Sequence, residues 1–239
     1  MFPAPCASLE YDVGFRRAAV TFVLKSIINT LCKVECREYV DALAKNSPLI
    51  LAINHVNFLE VPLLVTHSYP RFVTGIAKTE TWNNTLFSFI FNTYHAIPID
   101  REGAFHDVFR KVGESVDNGY CVIIAPEGTR SKDGVLGRGK AGIIYLSIDT
   151  GVPVLPVVHY GGENIWQNMK RFRRTPLRIR AGRPFKILCE GRPDKEEREA
   201  IMGEVMGQMA RLLPVDKRGP YAQEAQQPDN ECKYLEFLR

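Results

Sequence analysis

The amino-acid sequence predicts an α/β fold: a single domain with a central, mostly parallel or mixed sheet flanked by helices, preceded by an N-terminal amphipathic helical segment. Short apolar runs at 48–53, 71–77, 96–99, 120–125 and 152–158 alternate with segments of helical period, the pattern of strands joined by crossover helices. The run Tyr120-Cys121-Val122-Ile123-Ile124-Ala125 is too apolar for a strand with one wet face, so it belongs in a sheet covered on both sides. A chain of 239 residues with 45% apolar and 24% charged residues suits one domain with a substantial core.

In chain order, residues 15–33 have helical spacing of Phe15, Ala18, Ala19, Phe22, Val23, Ile27 and Leu31, with Arg16, Arg17, Lys25 and Lys33 scattered among them. Such a helix can lie in a membrane interface or pack on a core, and 1–40 is taken as a helical membrane-interface segment. The main domain is expected over 41–220. Its first strand, 48–53, leads into a turn at His55 and a helix to about Ser68; a second, Arg71–Ala77, leads to Lys78 and Glu80. The aromatic-rich stretch 82–92 reads as a helix whose apolar stripe packs in the core, with an acyl-chain groove or membrane contact as the alternative. Ile97-Pro98-Ile99 is strand-like and ends in Asp100-Arg101, and a polar helix follows over 104–117. After 120–125 come Glu127-Gly128-Thr129-Arg130, a Gly-rich loop to Lys140 and a helix over 140–149. The prolines of Val152–Val158 favour an edge or a strand start. Seven cations between Lys170 and Arg183 read as a solvated hairpin. An amphipathic helix spans 195–212, and the polar tail 221–239 is expected to be mobile.

Composition narrows the function classes. The net charge of +4 is compatible with anionic surfaces or substrates without requiring them. The basic 170–183 stretch carries no nucleic-acid-binding motif, so no nucleic-acid partner is expected. The six cysteines include no C-x-x-C pair and no completed zinc cluster. No metal is expected, and buried, reduced thiols at Cys121 and Cys189 suggest a reducing cytoplasmic compartment. The N-terminus lacks the pattern of a secretory signal, and no apolar run approaches the roughly 20 residues that span a bilayer.

Polar clusters stand at the ends of apolar strands: His55 with Glu60, Lys78 with Glu80, Asp100-Arg101, and Glu127–Arg130. Strand ends are where sites assemble in α/β sheets. A carboxylate on one imidazole nitrogen sets the tautomer of the other, which suits His55 as a general base oriented by Glu60. Residues five apart on an ideal helix point about 140° apart. The pair can therefore meet only if His55 sits in the turn and Glu60 in the first helical turn. Pro62 fits a helix start there. The alternative is a capping box from Asn57 to Glu60 with no chemistry, although Pro62 then falls beyond the first turn. Arg101, Arg130, Lys78 and Lys140 around one candidate base suit a phosphate-bearing substrate, since arginine matches phosphate oxygens bidentately.

These residues resemble the glycerolipid acyltransferase family that includes 1-acylglycerol-3-phosphate and lysophospholipid acyltransferases. Asn54-His55 with Glu60 is similar to the family's first block, Ile97–Arg101 to its second, Glu127-Gly128-Thr129-Arg130-Ser131 to its third, and Val152-Pro153-Val154-Leu155-Pro156 to its fourth. Order and spacing agree over roughly 47–160, and Leu212-Leu213-Pro214 followed by Arg218–Tyr221 is similar to bacterial members. The resemblance implies transfer of a fatty acyl group from an acyl thioester, acyl-CoA or acyl carrier protein, to the free hydroxyl of 1-acylglycerol-3-phosphate. No cofactor is implied beyond that co-substrate. His55 and Glu60 would be catalytic; Arg101, Glu127, Gly128, Thr129, Arg130, Lys78 and Lys140 would bind substrate. The chain would work peripherally or monotopically on the cytoplasmic side of a membrane. Glycerol-3-phosphate or another lysophospholipid is the alternative acceptor, and a catalytically weak lipid-binding protein the alternative class. The family's first block ends in Asp, so Glu60 is a departure of about one C–C bond, ~1.5 Å.

Overall fold

The computed structural model describes residues 10–45, 48–57, 59–99, 105–131, 133–189 and 191–238. Helix α1 (Glu10–Leu31) opens the chain, followed by β1 (Cys32–Glu35), α2 (Arg37–Lys45), β2 (Ile50–Ile53) and α3 (Glu60–His67). Then come β3 (Val73–Lys78), α4 (Thr85–Thr93), β4 (Ile97–Ile99), α5 (Phe105–Asp117) and β5 (Cys121–Ile124). The second half contains α6 (Gly142–Thr150), β6 (Val154–Tyr160), α7 (Ile165–Lys170), β7 (Thr175–Ala181), β8 (Phe185–Ile187), α8 (Lys195–Leu212) and β9 (Leu235–Phe237).

The sheet runs β1-β7-β6-β2-β5-β3-β4, with β8 pairing β6 and β9. β2 is parallel to β5 and β6, and β3 to β5 and β4, whereas β7 is antiparallel to β6. The sheet is thus mixed with a parallel centre. Residues following β2, β3, β5 and β6 consequently emerge at one end of it, which collects His55, Lys78, Glu127 and His159 there.

Period-two alternation divides β2 between two cores. Ile50 and Ala52 join Val112 of α5, Ile144 of α6 and Val205 of α8 on one face. Leu51 and Ile53 join Ile28 of α1, Tyr39 of α2 and Leu64 of α3 on the other. Both faces are covered, as the apolar run of β5 predicts.

The structure departs from several expectations. β6 is central, not an edge. Its Pro156 lies where the flanking partner changes from β7, which pairs from Val157, to β8, which pairs at Val154. There only the proline carbonyl is used, accepting the Gly182 N–H at 2.9 Å, so the missing donor costs no ladder bond. The chain from Tyr221 is packed instead of mobile. β9 pairs antiparallel with β8, Leu235 and Ala225 are buried, and Asp229 binds Arg183 at 2.9 Å and Arg211 at 2.5 Å. Cys121 is buried but Cys189 only half-buried.

The 82–92 stripe packs inward only in part: Ile90 lies against the core, while Leu86, Phe87 and Phe89 of α4 are exposed. α1 is double-sided. Arg17, Thr21 and Ile28 are buried against the domain, while Phe15, Phe22, Val23 and Ile27 face outward. The buried Arg17 guanidinium stacks 4.5 Å from the Phe72 ring and donates to the Arg71 carbonyl at 2.9 Å. Much of the basic 170–183 stretch is structural. Arg174 donates to the Asn29 and Cys32 carbonyls at 2.6 and 2.8 Å, capping the end of α1. Arg178 and Arg180 pair with Glu35 and Glu38.

The turn leaving β6 is set by Gly161. Its φ is 93°, and a Cβ there would stand 2.3 Å from the Pro176 carbonyl oxygen. Backbone strain and collision act together, so Gly161→Ala is expected to lower folding stability by about 3 kcal/mol in urea denaturation.

Candidate active site

Helix α3 begins at Glu60, which places Pro62 in its first turn, where no backbone N–H is needed. The turn before it brings His55 back over Glu60: His55 Nδ1 lies 2.5 Å from Glu60 Oε2. Glu60 Oε1 accepts the backbone N–H groups of Val56 and Asn57. The geometry that the first reading requires is present, with His55 in the turn and Glu60 in the first helical turn. The carboxylate orients the histidine and also ties down the turn, reaching back to the Asn57 N–H as a capping-box glutamate does. Asn57 does not cap the helix; its Oδ1 accepts the Leu59 N–H at 2.9 Å.

Glu60 is 1% exposed, whereas the His55 side chain keeps 28% of its surface in solvent. With Nδ1–H held by the carboxylate, Nε2 of His55 is left as the proton acceptor. Burial by itself would raise the Glu60 carboxyl, but contact with His159 and the hydrogen bond with His55 outweigh it and bring it down to about 2. Its position at the N-terminus of α3 also favours the anion.

His159, which the sequence reading passed over, is the second imidazole at this carboxylate. It ends the apolar run of β6 as His55 follows that of β2, and that shared placement was the available signal. Its Nε2 is 3.3 Å from Glu60 Oε1, close enough for a charge pair but outside hydrogen-bond geometry. Asn54 secures it: the Asn54 side chain accepts the His159 N–H at 2.8 Å and donates to the His159 carbonyl at 3.0 Å.

The Glu127–Ser131 loop is stitched to the same turn. Glu127 is buried, and its carboxylate accepts the His55 N–H at 2.7 Å and the Gly137 N–H at 2.7 Å. It therefore braces backbone and does not meet Arg130, and burial pushes its carboxyl up despite those two donors. The Ser131 N–H donates to the His55 carbonyl at 2.7 Å. Gly128 takes φ 67° with the Lys140 side chain folded over it, and its N–H is spent on the Ala125 carbonyl at 3.0 Å. Thr129, Arg130 and Lys140 are exposed beside this loop. Lys78 is exposed at the end of β3, two strands from β2 in the sheet. Asp100 and Arg101 lie outside the described residues.

Two consequences are measurable. Because the Glu60 carboxyl falls from 4.5 to about 2, its ionised form supports the fold above about pH 4.5, and that support drains as pH falls toward 2. A displacement of this size is worth roughly 3 kcal/mol. Glu60→Gln is expected to lower Tm at pH 7, with the gap to wild type narrowing below pH 4.5. Asn54→Ala leaves the buried His159 N–H and C=O unpaired, and a loss of about 2 kcal/mol is expected in chemical denaturation.

Comparison with known proteins bears on this site. A 1-acyl-sn-glycerol-3-phosphate acyltransferase of Cocos nucifera is 30% identical over 145 residues, 59% of this chain and 47% of that one. One of Bacillus subtilis is 24% identical over 172 residues, 72% of this chain and 83% of that one. The chain spans about half the length, or less, of the plant relatives it matches. In fold it is similar to the crystal structure of the 1-acyl-sn-glycerophosphate acyltransferase PlsC of Thermotoga maritima. The TM-score is 0.60 at 22% identity, covering 84% of this chain and 81% of that one. The family model described as Acyltransferase matches residues 32–160, which include the His55–Glu60 pair and the Glu127–Ser131 loop. On that match, over more than half its length, the chain belongs to the Acyltransferase family.

Proposed function

We propose that the chain is an O-acyltransferase that moves a fatty acyl group from an acyl thioester to the free hydroxyl of 1-acylglycerol-3-phosphate, forming phosphatidic acid. The observation that carries this reading is the His55–Glu60 pair, a 2.5 Å contact with the carboxylate buried and the imidazole open to solvent. His55 Nε2 takes the hydroxyl proton as the oxygen attacks the thioester carbonyl, and Glu60 stabilises the imidazolium. Collapse of the tetrahedral intermediate expels the thiolate, which receives the proton back. A thiolate leaves readily, so no acyl-enzyme is needed. Arg130, with Arg101 and Lys140, meets the acceptor phosphate. Its neighbour Ser131 is bonded to the His55 backbone, so phosphate binding and the base share one frame. The Gly128 N–H is already spent on the Ala125 carbonyl and is not assigned to the oxyanion.

The chain meets a membrane through the outward faces of α1 and α4, which pack on one another. Phe15, Phe22 and Ile27 with Leu86, Phe87 and Phe89 supply apolar contact. No described helix is long and apolar enough to cross a membrane; the contact proposed is peripheral or monotopic, on the cytoplasmic face. Lys170, Arg171 and Arg173, exposed and outside the ion pairs that engage Arg178 and Arg180, favour anionic headgroups.

Purified protein is assayed with acyl-CoA and acyl carrier protein donors against lysophosphatidic acid, glycerol 3-phosphate and lysophosphatidylcholine. Lysophosphatidic acid is expected to be the best acceptor. His55→Ala should lose roughly 10²–10⁴-fold in kcat, and equal turnover by that variant and wild type would end the reading. Binding to acidic liposomes by flotation should fall several-fold when Phe22 and Phe87 are both replaced by Ser; unchanged flotation removes this membrane face.

A further inference from the structure

We propose that His159 is a positioning residue for acyl transfer: its imidazole confines the Glu60 carboxylate so that a glutamate can orient His55. The inference rests on the reading of His55 as the general base.

The need for such a group follows from side-chain length. Glutamate has one more rotatable bond than aspartate, so a buried glutamate carboxylate has more ways to swing off its partner. Here Glu60 is held on three sides. Oε2 meets His55, Oε1 takes the Val56 and Asn57 N–H groups, and His159 Nε2 closes the remaining side at 3.3 Å. Those two amides belong to the turn that Glu60 itself organises, and they move with it. His159 does not. It sits on β6, in register with Ile179 of β7, and its backbone is clamped by Asn54. Among the described residues it is the one contact of the carboxylate fixed to another strand.

The chemistry of His159 points the same way. The residue is 2% exposed, and neither ring nitrogen has a hydrogen-bond partner. Two buried, unbonded imidazole nitrogens are a cost to the fold. Facing a carboxylate, Nε2 must carry a proton, since a lone pair there would be repelled. The result is a closed circuit in which Asn54 sets His159, His159 sets Glu60, Glu60 sets His55, and His55 follows Asn54 in the chain. A residue retained only for packing would be replaced by leucine at no loss.

The test compares His159→Leu, which fills the space without a donor, with His159→Gln, whose amide returns an N–H toward Glu60. A shift of the carboxylate by the order of 1 Å can cost about 100-fold, so His159→Leu is expected to lose about tenfold or more in kcat. KM for lysophosphatidic acid and acyl-CoA should stay within about twofold. His159→Gln should recover most of the loss, and His159→Leu should lower Tm at pH 7, because it removes a group that helps hold the buried Glu60 carboxyl in its ionised form. Proton NMR gives a readout that needs no turnover. The short His55–Glu60 bond should show a downfield Nδ1–H resonance in wild type and His159→Gln that is lost or broadened in His159→Leu. An unchanged resonance and kcat in His159→Leu overturn the inference, as does equal loss in both variants. A wild type inactive on every acceptor, or an active His55→Ala, instead counts against the acyltransfer reading, and the resonance still decides the role of His159.

Discussion

The burial of one carboxylate organises this molecule's working end. An ionised side chain that is 1% exposed survives only if its charge is matched and its lone pairs are occupied. Glu60 meets that demand with two turn amides, the His55 imidazole, the nearby His159 ring and the N-terminus of α3. The requirement runs in both directions. The carboxylate is tolerated because the turn and the two imidazoles converge on it, and they are held in place because it is there. Under the proposed reaction, the base that accepts a proton stands on a partner already ionised.

Around this contact the structure spends polar groups on precision. Glu127 ties the β5 loop to the His55 N–H, Ser131 ties it to the His55 carbonyl, and Asn54 ties β2 to β6 beyond their ladder. Each acts close to the exit of a strand from the sheet centre. The groups left outside are chemically different. Thr129, Arg130 and Lys140 remain exposed at the loop that carries Glu127, where the proposed reaction would have them meet an anionic substrate. The division between buried acceptors that shape the loops and exposed cations that can meet a phosphate is the electrostatic design of the site.

The outer surface divides in the same manner. Cations of the basic stretch are largely consumed by structure: Arg174 at the end of α1, Arg178 and Arg180 with acids of β1 and α2, Arg183 with Asp229. Apolar side chains go the other way. Phe22 on α1 and Phe87 on α4 stay in solvent at 74% and 49% exposure, on adjacent helices. A chain with a filled core on both sheet faces has no interior need for them, which is why their exposure points to an apolar surrounding.

The strand–helix alternation, the parallel centre of the sheet and the placement of polar clusters at strand ends were all legible in the sequence, because period and apolar run length are local properties. The sequence also showed that His55 and Glu60 could meet only across a turn entering a helix, beside the capping-box alternative, and the structure contains that turn. What only the tertiary structure decided depends on neighbours distant in the chain. Pro156 could be central because β7 gives way to β8 beside it. The polar tail could be ordered because β8 offered an edge for β9. Glu127 turned from expected substrate ligand to backbone brace because the His55 and Gly137 amides lay within its reach. His159 entered the site from 104 positions beyond His55, because β6 lies next to β2 and runs parallel to it. Spacing along a chain reports which residues can share an element; which strand becomes whose neighbour is settled by the packing of the whole sheet.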